Sequence, residues 1–351
     1  MAETKVTSMD VAVRAGVSQS AVSRVFTPGA SASKKTVEKV RKAAAELGYR
    51  PNILARAMVS GKSRMIGLVV AYLENYFYPE ALEKLSNALQ AQGYHVLVFM
   101  ASQTAVGIDA VVEEILDYQV DGIVFASVAM SSDIAERCEQ AGVPVVLFNR
   151  YEDREGVTSV TSDNVAGGRK VADFLLAGGH SRIAYIAGWE GASTQRDREA
   201  GFLAGLRAAG ADLFARGVGN FNLDQARNAA RGMFDRPDRP DAVFVANDHM
   251  AFAVMDVIRF ELGLSVPGDV SVVGYDDVPP AAWPAYDLTS VRQRANRMVE
   301  ETVNALLSRI EDPDAVAGKI VIDGPLIVRG SARGANPHPG SEAIAQKGRN
   351  E

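Results

Sequence analysis

From residue 65 onward the chain repeats one pattern: a short apolar run rich in β-branched residues, an amphipathic stretch, then another such run. Candidate strands are 65–72, 95–99, 122–126, 144–148, 183–187, 242–245 and 270–275. Strands separated by helical stretches are not joined by hairpins. Each helix carries the chain back across the sheet, so neighbouring strands run parallel. Ile66-Gly67-Leu68-Val69-Val70-Ala71 shows no polar alternation, which implies that both faces of its sheet are covered. The series reads as two such units in tandem, the second starting near Asp163. Extended pieces at 288–291 and 319–328 read as the chain crossing back between them. The expected division is therefore 64–162 with 291–322, and 163–290 with 323–333. The fold class expected of this body is α/β, two doubly wound parallel-sheet subdomains. The tail, 334–351, has no periodicity and is expected to be disordered; it contains no Leu heptad.

A different pattern precedes the body. Thr7 can cap a helix, with Asp10 three residues on as the return partner of a capping box. Ala15-Gly16-Val17 supplies a tight turn, because glycine accepts a positive φ without a Cβ clash. Ser18 can cap a second short helix. Val11, Ala12 and Ala15 share one side of the first helix, and Ala21, Val22 and Val25 share one side of the second. Such small residues allow the close crossing of a helix-turn-helix. The other side of the second helix carries Gln19, Ser20, Ser23 and Arg24. These side chains can read base edges in a major groove, Gln for adenine and Arg for guanine. The plain alternative is a solvated helix face, and charge weighs against it. Residues 1–64 hold 12 Lys and Arg against 4 acids, a net of +8 in a chain of −6, which leaves −14 on the remainder. A basic head on an acidic body is the distribution of a protein that meets phosphates with one part only. The head is thus expected to span residues 1–50.

The segment 46–58 joins head to body, with Gly48 as a helix C-cap and Pro51-Asn52 restarting a helix. That restarted piece is about two turns, too short to be stable alone in water. Held by DNA or by its copy in a dimer, it could drive Met58 as an apolar wedge between base steps of the minor groove. The alternative is a tether, 51–63, whose Met packs on the body.

Other classes of function find little support. Hydrophobic content of 47% and charged content of 23% are those of a soluble globular protein. No apolar run resembles a signal peptide and none approaches the roughly 18 residues of a membrane span, so a cytoplasmic protein with no membrane partner is expected. Cys138 is alone and is expected to pack in a helix as a small apolar residue. The four His show no metal-ligand spacing, so no metal or other cofactor is expected. Neither a nucleophile elbow, a Walker loop nor a GxGxxG after a strand occurs, which argues against an enzyme. A sugar-binding receptor with this body and no DNA role would need export and would have no use for the basic head.

Four motifs occur in order: Val11-Ala-Val-Arg-Ala-Gly-Val-Ser-Gln-Ser-Ala-Val-Ser-Arg-Val25, Leu47-Gly-Tyr-Arg-Pro-Asn52, Val245-Ala-Asn-Asp-His-Met-Ala251 and Val266-Pro-Gly-Asp-Val-Ser-Val-Val-Gly-Tyr-Asp-Asp277. On these the chain resembles the LacI/GalR family of bacterial transcription regulators, over nearly its whole length to Arg333. The resemblance implies a body of the periplasmic-binding-protein-like fold, a homodimer on a palindromic double-stranded operator, and a small effector between the subdomains. It places Gln19 and Ser20 at two specificity positions of the recognition helix and Arg24 at a third reading position. Thr7, Ser18, Ser23, Ser33 and Thr36 match phosphate-contacting positions. Asn52, Ala55 and Met58 match hinge positions that enter the minor groove, with Met58 standing where Leu is usual.

The resemblance also implies effector contacts at Tyr72, Phe77, Asp163, Thr194, Arg198, Phe221, Asn247 and Asp276. Carboxylates and an amide suit vicinal hydroxyls, Arg clamps an oxyanion, and aromatics pack on an apolar ring face. Each has a structural alternative: Asp276 capping a loop, Arg198 pairing with Asp163, Phe221 or Trp189 in the core. Arg150 and Arg196 nearby leave room for an acidic ligand group, so a sugar, a sugar acid or a phosphorylated metabolite all fit. The implied activity is ligand-controlled repression of a carbon-metabolism operon, with induction and corepression both open.

Overall fold

The computed structural model describes residues 6–27, 30–50, 62–101, 108–128, 130–152 and 156–334. The chain forms two compact units, 1–64 and 65–351. In the first, α1 (Ser8–Ala15), α2 (Gln19–Phe26) and α3 (Lys34–Leu47) surround a small core of Val11, Ala12, Val22, Val40, Ala43 and Ala44. The capping box at Thr7 and Asp10 is present, and Gly16 ends α1 at φ +67°. An Arg14–Glu46 ion pair at 2.6 Å ties α1 to the end of α3.

The second unit contains, among the described residues, two six-stranded sheets. The first is built from β1 (Met65–Val70), β2 (His95–Met100), β3 (Gly122–Ala126), β4 (Val145–Phe148), β5 (Thr158–Ser162) and β11 (Lys319–Ile322), in the order β11-β5-β4-β3-β1-β2. The second uses β6 (Ile183–Ala187), β7 (Ala215–Val218), β8 (Ala242–Val245), β9 (Ser271–Asp276), β10 (Thr289–Arg292) and β12 (Leu326–Ile327), in the order β12-β10-β9-β8-β6-β7. Pairing is parallel throughout except β10 with β12. Each sheet thus reverses its winding beside its first strand, between β1 and β3 and again between β6 and β8. A crevice opens at such a reversal, beyond the carboxyl ends of the strands.

The two-sided burial expected of β1 is seen, with all six residues buried. Helix α4 (Phe77–Ala91) covers one face through Phe77, Ala81, Leu85 and Leu89, spaced four apart so that they form one stripe. Cys138 is buried in α6 (Ser132–Gln140), which follows α5 (Ile108–Asp117), and burial pushes its thiol up to about 11. Helices α7 (Asn164–Ala177) and α8 (Ser193–Ala208) approach closely because Gly168 and Gly201 face the partner backbone; a Cβ on either would overlap a carbonyl, of Arg198 and Val165 respectively.

Two strands lie outside the sequence expectation. Thr158–Ser162 is made largely of hydroxyl residues, yet all five are buried because β4 and β11 flank it and α11 (Ala295–Glu311) lies across it. Ala215–Val218 is a half-exposed edge strand with little apolar content to mark it. The extended piece expected at 319–328 is split: Lys319–Ile322 joins the first sheet and Leu326–Ile327 the second. The strand at Thr289–Arg292 belongs wholly to the second sheet, so the chain crosses after Arg292 rather than at 291. The expected disorder of the tail falls on 335–351, outside the described residues.

Candidate functional site

In the head, three polar residues begin three helices. Thr7 accepts from the Asp10 N–H, Ser18 from that of Ala21, and Ser33 from that of Thr36. Helix N-termini carry partial positive charge and outward N–H groups, the arrangement that receives phosphate. Gln19, Ser20, Ser23 and Arg24 lie exposed along α2. Gln19 Nε2 donates to Ser8 Oγ at 2.9 Å, Ser18 and Ser20 share a hydrogen bond at 2.9 Å, and Arg24 Nε donates to the Ser20 carbonyl at 3.4 Å. Thr36 bonds Ser33 at 2.8 Å. Asn52, Ala55 and Met58 lie outside the described residues.

In the body, the carboxyl ends of the strands converge on a small cavity of about 10 Å³. It is lined by Tyr72, Asn75, Tyr78, Asn149, Arg150, Thr194, Arg198, Phe221, Asn247 and Asp276. Tyr72 follows β1, Asn149 and Arg150 follow β4, Asn247 follows β8 and Asp276 ends β9. Arg198 is the hub on the second-sheet side. It donates to Asn164 Oδ1 at 2.9 Å and to the Ala246 carbonyl at 2.5 Å, pairs with Asp276 at 3.3 Å, and lies 3.7 Å over the Tyr275 ring. The alternative pairing of Arg198 with Asp163 does not occur.

Asp276 also accepts from Gln293 Nε2 at 2.7 Å and from Asn75 Nδ2 at 3.1 Å. Asn75 follows β1, so this bond reaches across the cleft. Arg150 makes the second crossing, donating to Thr194 Oγ1 at 2.6 Å, and its other bonds go to the Asn149 carbonyl and Ser127 Oγ, both at 3.0 Å. Tyr151 makes a third, its N–H to Ser193 Oγ at 3.1 Å and its hydroxyl to Asp197 at 2.9 Å. Burial pushes the Asp276 carboxyl above its ordinary value against the pull of Arg198. Burial, then the neighbouring Asp276 charge, raise that of Asp248 well above the usual range. Ser127, Asn149, Phe221 and Asp276 sit at φ of +63°, +58°, +57° and +116°. Such backbone strain at non-glycine residues costs about 1–3 kcal/mol each and collects where a ligand or a switch is served.

Six of the eight expected effector residues therefore line one space: Tyr72, Thr194, Arg198, Phe221, Asn247 and Asp276. Asn247 also caps α10 (Asp248–Asp256), the helix after α9 (Leu223–Phe234), through Met250 N–H. Phe77 is not among the lining residues; it is buried against Phe148, ring centroids 6.1 Å apart. Asp163 caps α7 through the Ala166 N–H instead. Arg196 is exposed and donates to the Gly191 carbonyl, and Trp189 packs partly buried against the core. Asn75, Tyr78, Asn149 and Gln293 were not anticipated. Asn149 was within reach of sequence reasoning, because it directly follows a candidate strand; Asn75 and Gln293 carry no local signal.

The model of bacterial regulatory proteins of the lacI family matches residues 7–52. A model of a periplasmic binding protein-like domain matches residues 172–332. The transcriptional regulator CelR of Thermobifida fusca is 33% identical over 330 residues, covering 92% of this chain and 96% of its own. The chain belongs to the lacI family. The ribose operon repressor of Escherichia coli (strain K12) is 30% identical over 332 residues, covering 93% of this chain and 99% of its own. The lac repressor dimer bound to operator and the anti-inducer ONPF matches with a TM-score of 0.82 at 29% identity, covering 93% of this chain and 99% of that one. This lacI-family chain is a DNA-binding transcriptional regulator and not an enzyme. A receptor of the same body fold without a DNA role leaves the match at 7–52 without a purpose. Among the described residues no helix is long and apolar enough to cross a membrane.

Proposed function

We propose that this chain is a cytoplasmic homodimeric repressor of a carbon-metabolism operon, released from or locked onto its operator by a small effector in the body cleft. The observation that carries it is the Asp276 carboxylate, salt-bridged to Arg198 on its own side and bonded to Asn75 on the other. A ligand that replaces either partner changes the relative free energy of the two subdomain orientations. It can shift operator affinity only by its differential affinity for them. Tyr72, Thr194, Arg198, Phe221, Asn247 and Asp276 contact the effector, while Phe77 and Asp163 hold the walls. Two heads read the halves of a palindrome through Gln19, Ser20 and Arg24. Thr7, Ser18, Ser23, Ser33 and Thr36 meet phosphates, and Asn52, Ala55 and Met58 of the linker enter the minor groove between the halves. Dimeric assembly on an operator is what the lac repressor relative does, and the ribose operon repressor supports a carbon-source regulon.

The test is operator binding by the full chain, on a site recovered by selection from random duplex DNA, with and without candidate sugars, sugar acids and phosphorylated metabolites. A ligand that changes operator affinity in the native chain and leaves it unchanged in Asp276→Asn supports the cleft. A fall marks an inducer and a rise a corepressor. Retention of the full response in Asp276→Asn removes Asp276 from the mechanism. Recovery of no preferred duplex removes the regulator reading itself.

A further inference from the structure

Two guanidinium groups line the cleft, and their surroundings differ. Arg198 has the Asp276 carboxylate at 3.3 Å. Arg150 is only 5% exposed, and its partners are all neutral: the Thr194 and Ser127 hydroxyls and the Asn149 carbonyl. No carboxylate lies within ion-pair distance of it among the described residues, and its buried Nε has no hydrogen-bond partner. Asp276 feels its charge but is already engaged by Arg198, Asn75 and Gln293. A buried cation that lacks a counter-charge is strongly unfavourable, so an anion that reaches it gains what the protein has left out.

A second feature faces the same place. Helix α8, 16 residues long, begins at Ser193 with no side-chain cap and no acid in its first turn. Arg150 touches that turn through Thr194. An uncapped helix start, with its unpaired N–H groups and positive dipole end, attracts the same kind of group.

We infer that the effector carries an anionic group, a carboxylate or a phosphate, which docks between the Arg150 guanidinium and the first turn of α8. This rests on the reading of the cleft as the effector site. It narrows the class from sugars in general to sugar acids or sugar phosphates, whose hydroxyls face Asp276 and Asn247.

Melting temperature of the full chain tests it, because a ligand that binds only the folded state raises it. The probes are D-ribose, D-ribonate and ribose phosphate, with D-glucose, D-gluconate and glucose phosphate as the hexose set, and inorganic phosphate alone. The expected result is a rise with an acid or an ester and none with its neutral parent. Arg150→Met is expected to weaken that response at least tenfold, and Arg150→Lys to keep part of it. Ribonate or gluconate acting alone assigns a carboxylate; the esters acting alone assign a phosphoryl group. Inorganic phosphate matching the esters assigns the free ion. Three results overturn the inference: a neutral sugar stabilising as strongly as its acid or ester, an undiminished response in folded Arg150→Met, or no shift with any anion of the set. A neutral sugar that alters operator affinity through Asp276 sinks the anion and leaves the effector cleft standing. Anion binding through Arg150 with no change in operator affinity sinks the effector reading and leaves the anion site.

Discussion

Arg198 and Asp276 form a buried pair in which either half alone is costly. Asp276→Ala would leave the guanidinium uncompensated and should destabilise the body by about 3–5 kcal/mol. Asp276→Asn keeps an acceptor for it and is expected to melt closer to the native chain. Comparing the two by calorimetry separates loss of response from loss of fold. Asp248 behaves differently: its oxygens accept from Ser290 Oγ at 2.6 Å and Val278 N–H at 2.9 Å, while burial lifts its carboxyl well above the usual range. A raised folded-state value means its contribution is whole below the ordinary carboxylate value and is lost as pH rises through the raised one. Asn can serve both partners without charge, so Asp248→Asn should raise the melting temperature at neutral pH and flatten its fall from acid to neutral. An unchanged pH profile would show that Asp248 does not titrate in this range. In the head, Arg24→Ala should weaken operator binding by about 1–3 kcal/mol and relax preference at one base position. Site selection giving the same consensus would exclude Arg24 as a base reader.

At the scale of elements, the site depends on how closely α7 and α8 approach. Arg198 stands on α8 and Asn164 begins α7, and the bond between them needs the helices in contact at Gly168 and Gly201. A Cβ at Gly201 would meet the Val165 carbonyl, which is backbone and cannot swing away. Gly201→Ala is therefore expected to cost about 1–3 kcal/mol and to impair effector response, while operator binding by the head persists. Full effector response in Gly201→Ala, by titration, would show that this contact does not position Arg198. Helix starts were the most legible elements, since capping at Thr7 and Ser18 needs only near neighbours. The strands at Thr158–Ser162 and Ala215–Val218 were not. Their burial or edge position is imposed by elements far along the chain, and their own residues carry no apolar pattern.

Over the whole molecule, charge is divided between a head of +8 and a remainder of −14. Operator affinity should therefore fall steeply with salt, by about a thousandfold between roughly 50 and 200 mM if about six phosphates are neutralised. A shallow slope in anisotropy titrations would mean that the basic residues of 1–64 do not meet the backbone of DNA. The sequence by itself determined the helix-turn-helix, the parallel α/β class and the family. These rest on local capping, short-range periodicity and the order of motifs, all of which are written within a few turns of chain. Through the family resemblance it also marked most of the residues that line the cleft. Only the tertiary structure decided which of them face one another. That Arg198 takes Asp276 and not Asp163, that Asn75 and Gln293 complete the shell, and that Arg150 is left buried without a carboxylate are outcomes of two sheets meeting. Contacts between residues 75 and 276 or 150 and 194 are set by packing, and no spacing along the chain encodes them.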